Sequence, residues 1–175
     1  CRLPPPLLVL QRPVDPAGEV AALYDKHHLV PFGEYMPAGA LFDRLGIFGL
    51  AANLTGSYAP GPGPRLVTAG PAGAALPLIC YEAIFARDIR AAPARPGWLM
   101  QVTNDAWFGE IAGPYQHLAQ ARLRAVEFGL PVLRAANTGV SAAIDPVGRI
   151  TGQIDLGTSG ALDVALPAPL PETVY

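Results

Sequence analysis

The chain has 175 residues, 51% of them hydrophobic and 15% charged, with a formal net charge of −2. That balance argues against a disordered chain, and the length allows one domain with a real core. Charges of both signs are scattered with no basic stripe, so nothing points to a nucleic-acid partner.

The start, Cys1-Arg2-Leu3-Pro4-Pro5-Pro6, lacks the basic-then-apolar order of a signal peptide. Residues 1–6 read as an irregular start at a truncation edge. A terminal cysteine also matches lipid-modified N-termini. Cys1 and Cys80 admit one disulfide, but two cysteines make no framework. No apolar run reaches the roughly 18–20 residues of a membrane span. The most apolar stretch, residues 45–54, is interrupted by Gly46, Gly49 and Asn53.

Leu7-Leu8-Val9-Leu10 predicts a short buried strand, Asp15-Pro16-Ala17-Gly18 a turn, and residues 19–24 a second strand. The same Asp-Pro-x-Gly chemistry recurs at residues 145–148, inside a predicted hairpin over 142–150. Residues 31–37 and the Pro/Gly-dense 57–64 read as loops, and 41–50 as a short helix. Residues 76–80 predict a strand, and 82–92 a helix ended by Pro93. Residues 98–103 predict a strand followed by a polar loop at Asn104-Asp105. Residues 114–128 give the clearest helix, with Pro114 in its first turn and Gly129 as its cap. Its predicted apolar face is Tyr115, Leu118, Ala119 and Val126. Strands over 130–135, 140–144 and 161–165 follow. Residues 7–166 then read as one domain of the α/β class, and 167–175 as a Pro-rich exit linker.

The chemistry centres on Cys80 in Leu78-Ile79-Cys80-Tyr81-Glu82. A cysteine between a strand and a helix faces unpaired N–H groups that favour a thiolate and can hold an oxyanion. The plainer reading is a buried structural cysteine. Lys26 ends a predicted strand, where lysines are usually solvated. Its company argues otherwise, because the constrained Pro31-Phe32-Gly33 loop is able to turn Glu34 back toward it. An ammonium near a thiolate favours the charged sulfur. His27 and His28, adjacent on a strand, are expected to point apart, which does not suggest a metal site.

Four motifs occur in order: Tyr24-Asp25-Lys26 through Phe32-Gly33-Glu34-Tyr35, Leu78 to Glu82, Thr103-Asn104-Asp105-Ala106-Trp107-Phe108-Gly109, and Arg134-Ala135-Ala136-Asn137-Thr138-Gly139. Together, across about residues 8–166, they resemble the carbon–nitrogen hydrolase (nitrilase) superfamily. Their wording is most similar to its apolipoprotein N-acyltransferase branch. The resemblance implies a four-layer α-β-β-α sandwich, here incomplete at its N-terminal side, and a Glu-Lys-Cys triad. It makes Cys80 the nucleophile, Lys26 the oxyanion-stabilising lysine and Glu34 the glutamate that orients it. Tyr81 and Glu82 shape the site, and Asn104, Trp107 and Phe108 fall in a loop beside it.

The implied reaction carries an acyl chain from a membrane phospholipid, through a thioester on Cys80, to the α-amino group of a diacylglyceryl-cysteine on an apolipoprotein. It needs no metal or organic cofactor. The implied location is the periplasmic face of a bacterial inner membrane. The aromatic and apolar residues Phe32, Tyr35, Met36, Phe42, Ile47 and Phe48 are candidates to meet acyl chains. Two features depart from the pattern. No acidic residue before Lys26 has the setting of the general-base glutamate, and the branch's transmembrane helices are absent. The chain is therefore expected to be the C-terminal part of a catalytic domain, without turnover alone. Two other readings share Lys26 and Cys80: a soluble amidase or nitrilase acting on a small amide, and a non-catalytic remnant. Oligomeric state leaves no mark in the sequence.

Overall fold

The computed structural model describes residues 10–11, 18–20, 22–35, 37 and 58–174. The expected strand over 7–9, turn residues 15–17, the helix over 41–50, Cys1, Met36, Phe42, Ile47, Phe48 and Ser57 lie outside the described residues.

Strands β1 (Leu10–Gln11) and β2 (Tyr24–Asp25) pair antiparallel, with Leu10 opposite Asp25. A larger mixed sheet follows strict chain order: β3 (Val67–Thr68), β4 (Ala74–Ile79), β5 (Trp98–Asn104), β6 (Val132–Asn137), β7 (Ser141–Ile144) and β8 (Ile150–Ile154). β4, β5 and β6 run parallel, and each remaining neighbour is antiparallel. Parallel neighbours need a long crossover. The first contains helix α1 (Ala86–Arg90) and the second helix α2 (Gly113–Phe128). Pro77 is tolerated inside β4 because β3 pairs only with Ala74 and Ala75 and stops short of it.

Alternation along the strands sends Leu76, Leu78, Leu99 and Val132 to one face, where they pack with Leu118, Ala121 and Ala125 of α2. Ala75 and Trp98 lie on the other face with Met100 and Leu133. A sheet that is apolar on both faces is the pattern of buried parallel strands. Leu99 is fully buried, and trimming such a leucine to alanine costs about 2–5 kcal/mol.

The α/β class agrees with the sequence. So do the hairpin at 145–148, where Asp145 Oδ1 accepts from Val147 N and Arg149 N, and helix α2 with Gly129 in a left-handed cap. Four local expectations are corrected. The helix over 82–92 is instead a 3-10 turn at Cys80–Ile84, an extended Phe85 and the short α1, because Glu82 turns inward as an acceptor for backbone N–H groups. On α2, Tyr115, Ala119 and Val126 are exposed. The buried face holds His117 and Arg124 beside Leu118, Ala121 and Ala125, the two polar residues being hydrogen-bonded there. The polar loop at 104–105 is a strand end followed by a 3-10 turn, with Asp105 fully buried. Residues 161–165 form no strand. Leu162 and Val164 instead lie over β8, each within 2.9 Å of where a Cβ on Gly152 would stand.

Residues 155–174 carry no helix or strand, yet they are tied to the body. Leu170 N donates to Gly129 O, and Arg95 Nη2 donates to Leu170 O. No helix among the described residues is long and apolar enough to cross a membrane.

Candidate active site

Two loops and two strand ends build the site. Residues 30–35 close a tight turn in which Glu34 N donates to Val30 O and Phe32 N to Tyr35 O. Phe32 takes a φ of 63°, a left-handed conformation that costs a non-glycine residue about 1–2 kcal/mol. The turn carries Glu34 back onto the strand end. Lys26 Nζ donates to Glu34 Oε1 at 2.6 Å and Oε2 at 2.7 Å, and Val30 N donates to Oε2 at 2.8 Å. The loop over 58–61 fixes the other side, with Tyr58 N on Glu34 O and Gly61 N on Lys26 O. Lys26 is buried, so its ammonium is held by one carboxylate rather than by solvent.

Cys80 follows the last residue of β4 and has a φ of 51°. This left-handed step bends the chain out of the strand and leaves the thiol free and half-buried. Glu82 holds the bend. Its carboxylate accepts from Ile79 N at 2.7 Å, His27 N at 2.8 Å and His28 N at 3.2 Å. Burial alone raises the pKa of Glu82, but the hydrogen bond from His27 and the backbone N–H of Ile79 outweigh it and keep the carboxyl below its usual range. The converse acts on His27. Burial disfavours its charge, and the hydrogen bond and charge of Glu82 at 2.7 Å prevail, so its pKa is raised.

Cys80, Glu34, Tyr81, Trp107 and Phe108 line one cavity of about 200 Å³, closed by Val30 and Gly33. Five of the eight residues singled out in the sequence therefore meet there, and Lys26 reaches it through Glu34. Glu82 does not line the cavity; it is fully buried beneath the bend. Asn104 does not line it either. Its side chain accepts from Ala106 N and Asn137 Nδ2, bridging the ends of β5 and β6. His27 and His28 do not point apart, since neither lies on a strand. Both approach Asp88, with His28 Nδ1 at 2.6 Å and His27 Nε2 at 3.8 Å from Oδ2.

A buried polar cluster escaped the sequence reading. Asp105 pairs with Arg134 and accepts from Thr103 Oγ1 at 3.1 Å, and His117 Nδ1 lies 2.9 Å from its Oδ1. Burial raises the Asp105 pKa, and His117 and Arg134 more than reverse that. The only sequence signal was the presence of Asp105 and Arg134 within the recognised motifs. His117 had none.

A family model described as carbon-nitrogen hydrolase matches residues 13–172. Proteins named apolipoprotein N-acyltransferase from Bradyrhizobium diazoefficiens and Rhodopseudomonas palustris are each 51% identical over 162 residues, 93% of this chain and 30% of theirs. One from Brucella melitensis is 44% identical over 89% of this chain and 29% of its own length. The chain thus spans about 30% of the length of these relatives. Among solved structures, a mutant of the amidase from Nesterenkonia sp. AN1, with the acetamide moiety of fluoroacetamide added covalently at its active-site cysteine, is 26% identical. It has a TM-score of 0.56 and covers 82% of this chain and 49% of that one. A carbon-nitrogen hydrolase from Helicobacter pylori G27 is 14% identical with a TM-score of 0.57 over 81% and 50%, a likeness of fold alone.

Proposed function

The chain belongs to the carbon–nitrogen hydrolase family, and on that premise we propose that it carries the nucleophile, lysine and second glutamate of an apolipoprotein N-acyltransferase. The observation that carries this reading is the meeting of Cys80 with the Lys26–Glu34 pair at one aromatic-walled cavity.

In the first step the Cys80 thiolate attacks the sn-1 ester carbonyl of a phospholipid. A C–S bond forms, the ester C–O bond breaks, and the glycerol oxygen leaves protonated as a lysophospholipid. In the second step the α-amino nitrogen of a diacylglyceryl-cysteine attacks the thioester. The C–N bond forms, the C–S bond breaks, and thiolate is restored. Lys26 and the backbone N–H of Tyr81 hold the oxyanion in both steps. Glu34 holds and aims the lysine through both carboxylate oxygens. A general base must move the protons. None of the described residues gathered at this cavity takes that part, so the chain by itself is expected to give no turnover. Trp107 lines the cavity with an exposed ring, and the exposed Phe32 directly precedes the lining residue Gly33, so both offer apolar surface for an acyl chain. The reaction is assigned to the periplasmic face of a bacterial inner membrane, where both lipid substrates reside.

Mass spectrometry of the protein carrying this chain, after incubation with phospholipid, tests the reading. The expected result is an acyl mass on the Cys80 peptide that is absent from Cys80→Ala. Acyl transfer retained by Cys80→Ala removes Cys80 from the mechanism. The likeness to an amidase and the modest cavity favour a second reading, hydrolysis of a small amide by the same residues. Ammonia release from small amides without acyl transfer to a lipopeptide would select it.

A further inference from the structure

The two groups assigned to the oxyanion arrive on different loops. Lys26 leads into the turn of residues 30–35, and the Tyr81 N–H belongs to the bend after β4. An oxyanion hole works only when its donors are held in place before the charge develops. Glu82 ties the loops through backbone alone, accepting from His27 N, His28 N and Ile79 N. The side chain of His28 adds a second tie, and the chemistry proposed above gives it no task.

That ring is held by a hydrogen bond and by two aromatic neighbours. Nδ1 stands 2.6 Å from Asp88 Oδ2. The ring lies flat on Phe85, with centroids 3.8 Å apart and planes 4° from parallel. It meets Tyr81 nearly at right angles at 5.8 Å, and Tyr81 in turn packs edge-on to Phe85 at 4.9 Å. Each of the three rings thus touches the other two. His28 is two residues from Lys26, and Tyr81 directly follows Cys80, so the ring contact runs from the lysine segment to the oxyanion donor.

The anchor is fixed to the body of the domain. Asp88 is buried on α1, next to Ile89 in the main core. Arg87 Nε lies 3.5 Å from its Oδ1, and His27 Nε2 lies 3.8 Å from its Oδ2. A phenylalanine in place of His28 would keep the stack and lose the hydrogen bond, and an asparagine would keep a donor and lose the stack. Histidine supplies both.

We propose that His28 is a positioning residue for the oxyanion hole: anchored on Asp88, its ring holds Tyr81 and so fixes the place of the Tyr81 N–H relative to Lys26. This rests on the reading of Cys80 as nucleophile and of those two groups as its oxyanion donors.

The test compares two reactions of Cys80 in the protein carrying this chain. Acylation by p-nitrophenyl butyrate passes through a tetrahedral oxyanion. The C–S bond forms, the ester C–O bond breaks, and p-nitrophenolate leaves as a measurable burst. Alkylation by iodoacetamide displaces iodide at a saturated carbon and forms no oxyanion. It is read on the alkaline plateau of its pH profile, where the thiol is ionised whatever its pKa. His28→Phe is expected to slow the burst about 10- to 100-fold, as misplacement of about 1 Å does, and to leave alkylation within about twofold. Asp88→Ala is expected to repeat that pattern. A merely structural role slows both reactions together or leaves both alone, and either outcome in His28→Phe overturns the proposal. Should His28→Phe fail to fold by circular dichroism, Asp88→Ala decides alone by the same comparison. A burst that survives in Cys80→Ala, or is absent from the wild type, overturns the nucleophile reading and this proposal with it. Neither probe is a lipid, so failure to acylate from phospholipid leaves this result standing.

Discussion

Glu34 presents both carboxylate oxygens to Lys26 Nζ, at 2.6 and 2.7 Å, while its own backbone N–H closes the turn on Val30 O. One residue thus shapes the loop and holds the buried ammonium. Leaving one partner of such a pair without the other costs about 3–5 kcal/mol, because a charge stays buried and unpaired. Lys26→Met and Glu34→Gln are each expected to lower the urea midpoint, and the double variant by less than the sum of the two. Additive losses would mean that the pair is not coupled.

A pH dependence follows from Glu82 and His27. The pKa of Glu82 is held below its ordinary 4.5, so its contribution to stability is present above that value and lost as pH falls through the folded value. The pKa of His27 is raised above 6.5, so its contribution is full below 6.5 and lost as pH rises through the folded value. The pair is therefore strongest between about pH 4.5 and 6.5. Urea titrations across that range and above it are expected to show a decline on the alkaline side. Glu82→Gln flattens that limb. A wild-type curve that rises above pH 6.5 along this limb contradicts the assignment.

What the sequence disclosed, and what it hid, follows from the range of the interactions. Pro114 and Gly129 bracket α2, and Asp145 organises its own hairpin, because each acts on backbone within a few residues. The return of Glu34 onto Lys26 was legible for the same reason: a left-handed Phe32, followed by Gly33, reverses the chain within one turn. The inner face of α2 was not. His117 and Arg124 look like surface residues until Asp105 from one crossover and the Ile84 carbonyl from another are brought against them. Glu82 looked helical by spacing. Its inward role depends on the His27 and His28 N–H groups, more than fifty positions earlier.

Gly139 tests how tightly the Asp105–Arg134 pair is enclosed. A Cβ there would run into the Asp105 carboxylate and stand 2.7 Å from Asp105 Cβ. Neither can retreat, since Asp105 is fully buried and Arg134 is anchored on Val140 O. Gly139→Ala is expected to cost about 1–3 kcal/mol as an overpacked site. Thermal unfolding measures it. An unchanged midpoint would mean that the 137–140 turn moves away freely.

Phe108 links the cavity to the buried cluster, because it lines the Cys80 site while its ring packs edge-on to His117, with centroids 5.2 Å apart. Gly113 lies directly behind it. A Cβ on Gly113 would stand 2.5 Å from both Phe108 Cβ and Phe108 O, a contact that no rotamer change relieves since backbone is involved. Gly113→Ala therefore forces the 105–108 turn to shift as a unit, carrying Trp107 and Phe108 with it. The proposed acyl transfer is expected to slow at the acyl-enzyme step. The Lys26–Glu34 pair is built from other loops, so its coupling in a double-mutant cycle is expected to stay at the wild-type value. Acyl-enzyme formation at the wild-type rate in Gly113→Ala would show that the aromatic wall does not position the acyl group. Loss of the Lys26–Glu34 coupling would show that the two halves of the site are not independent.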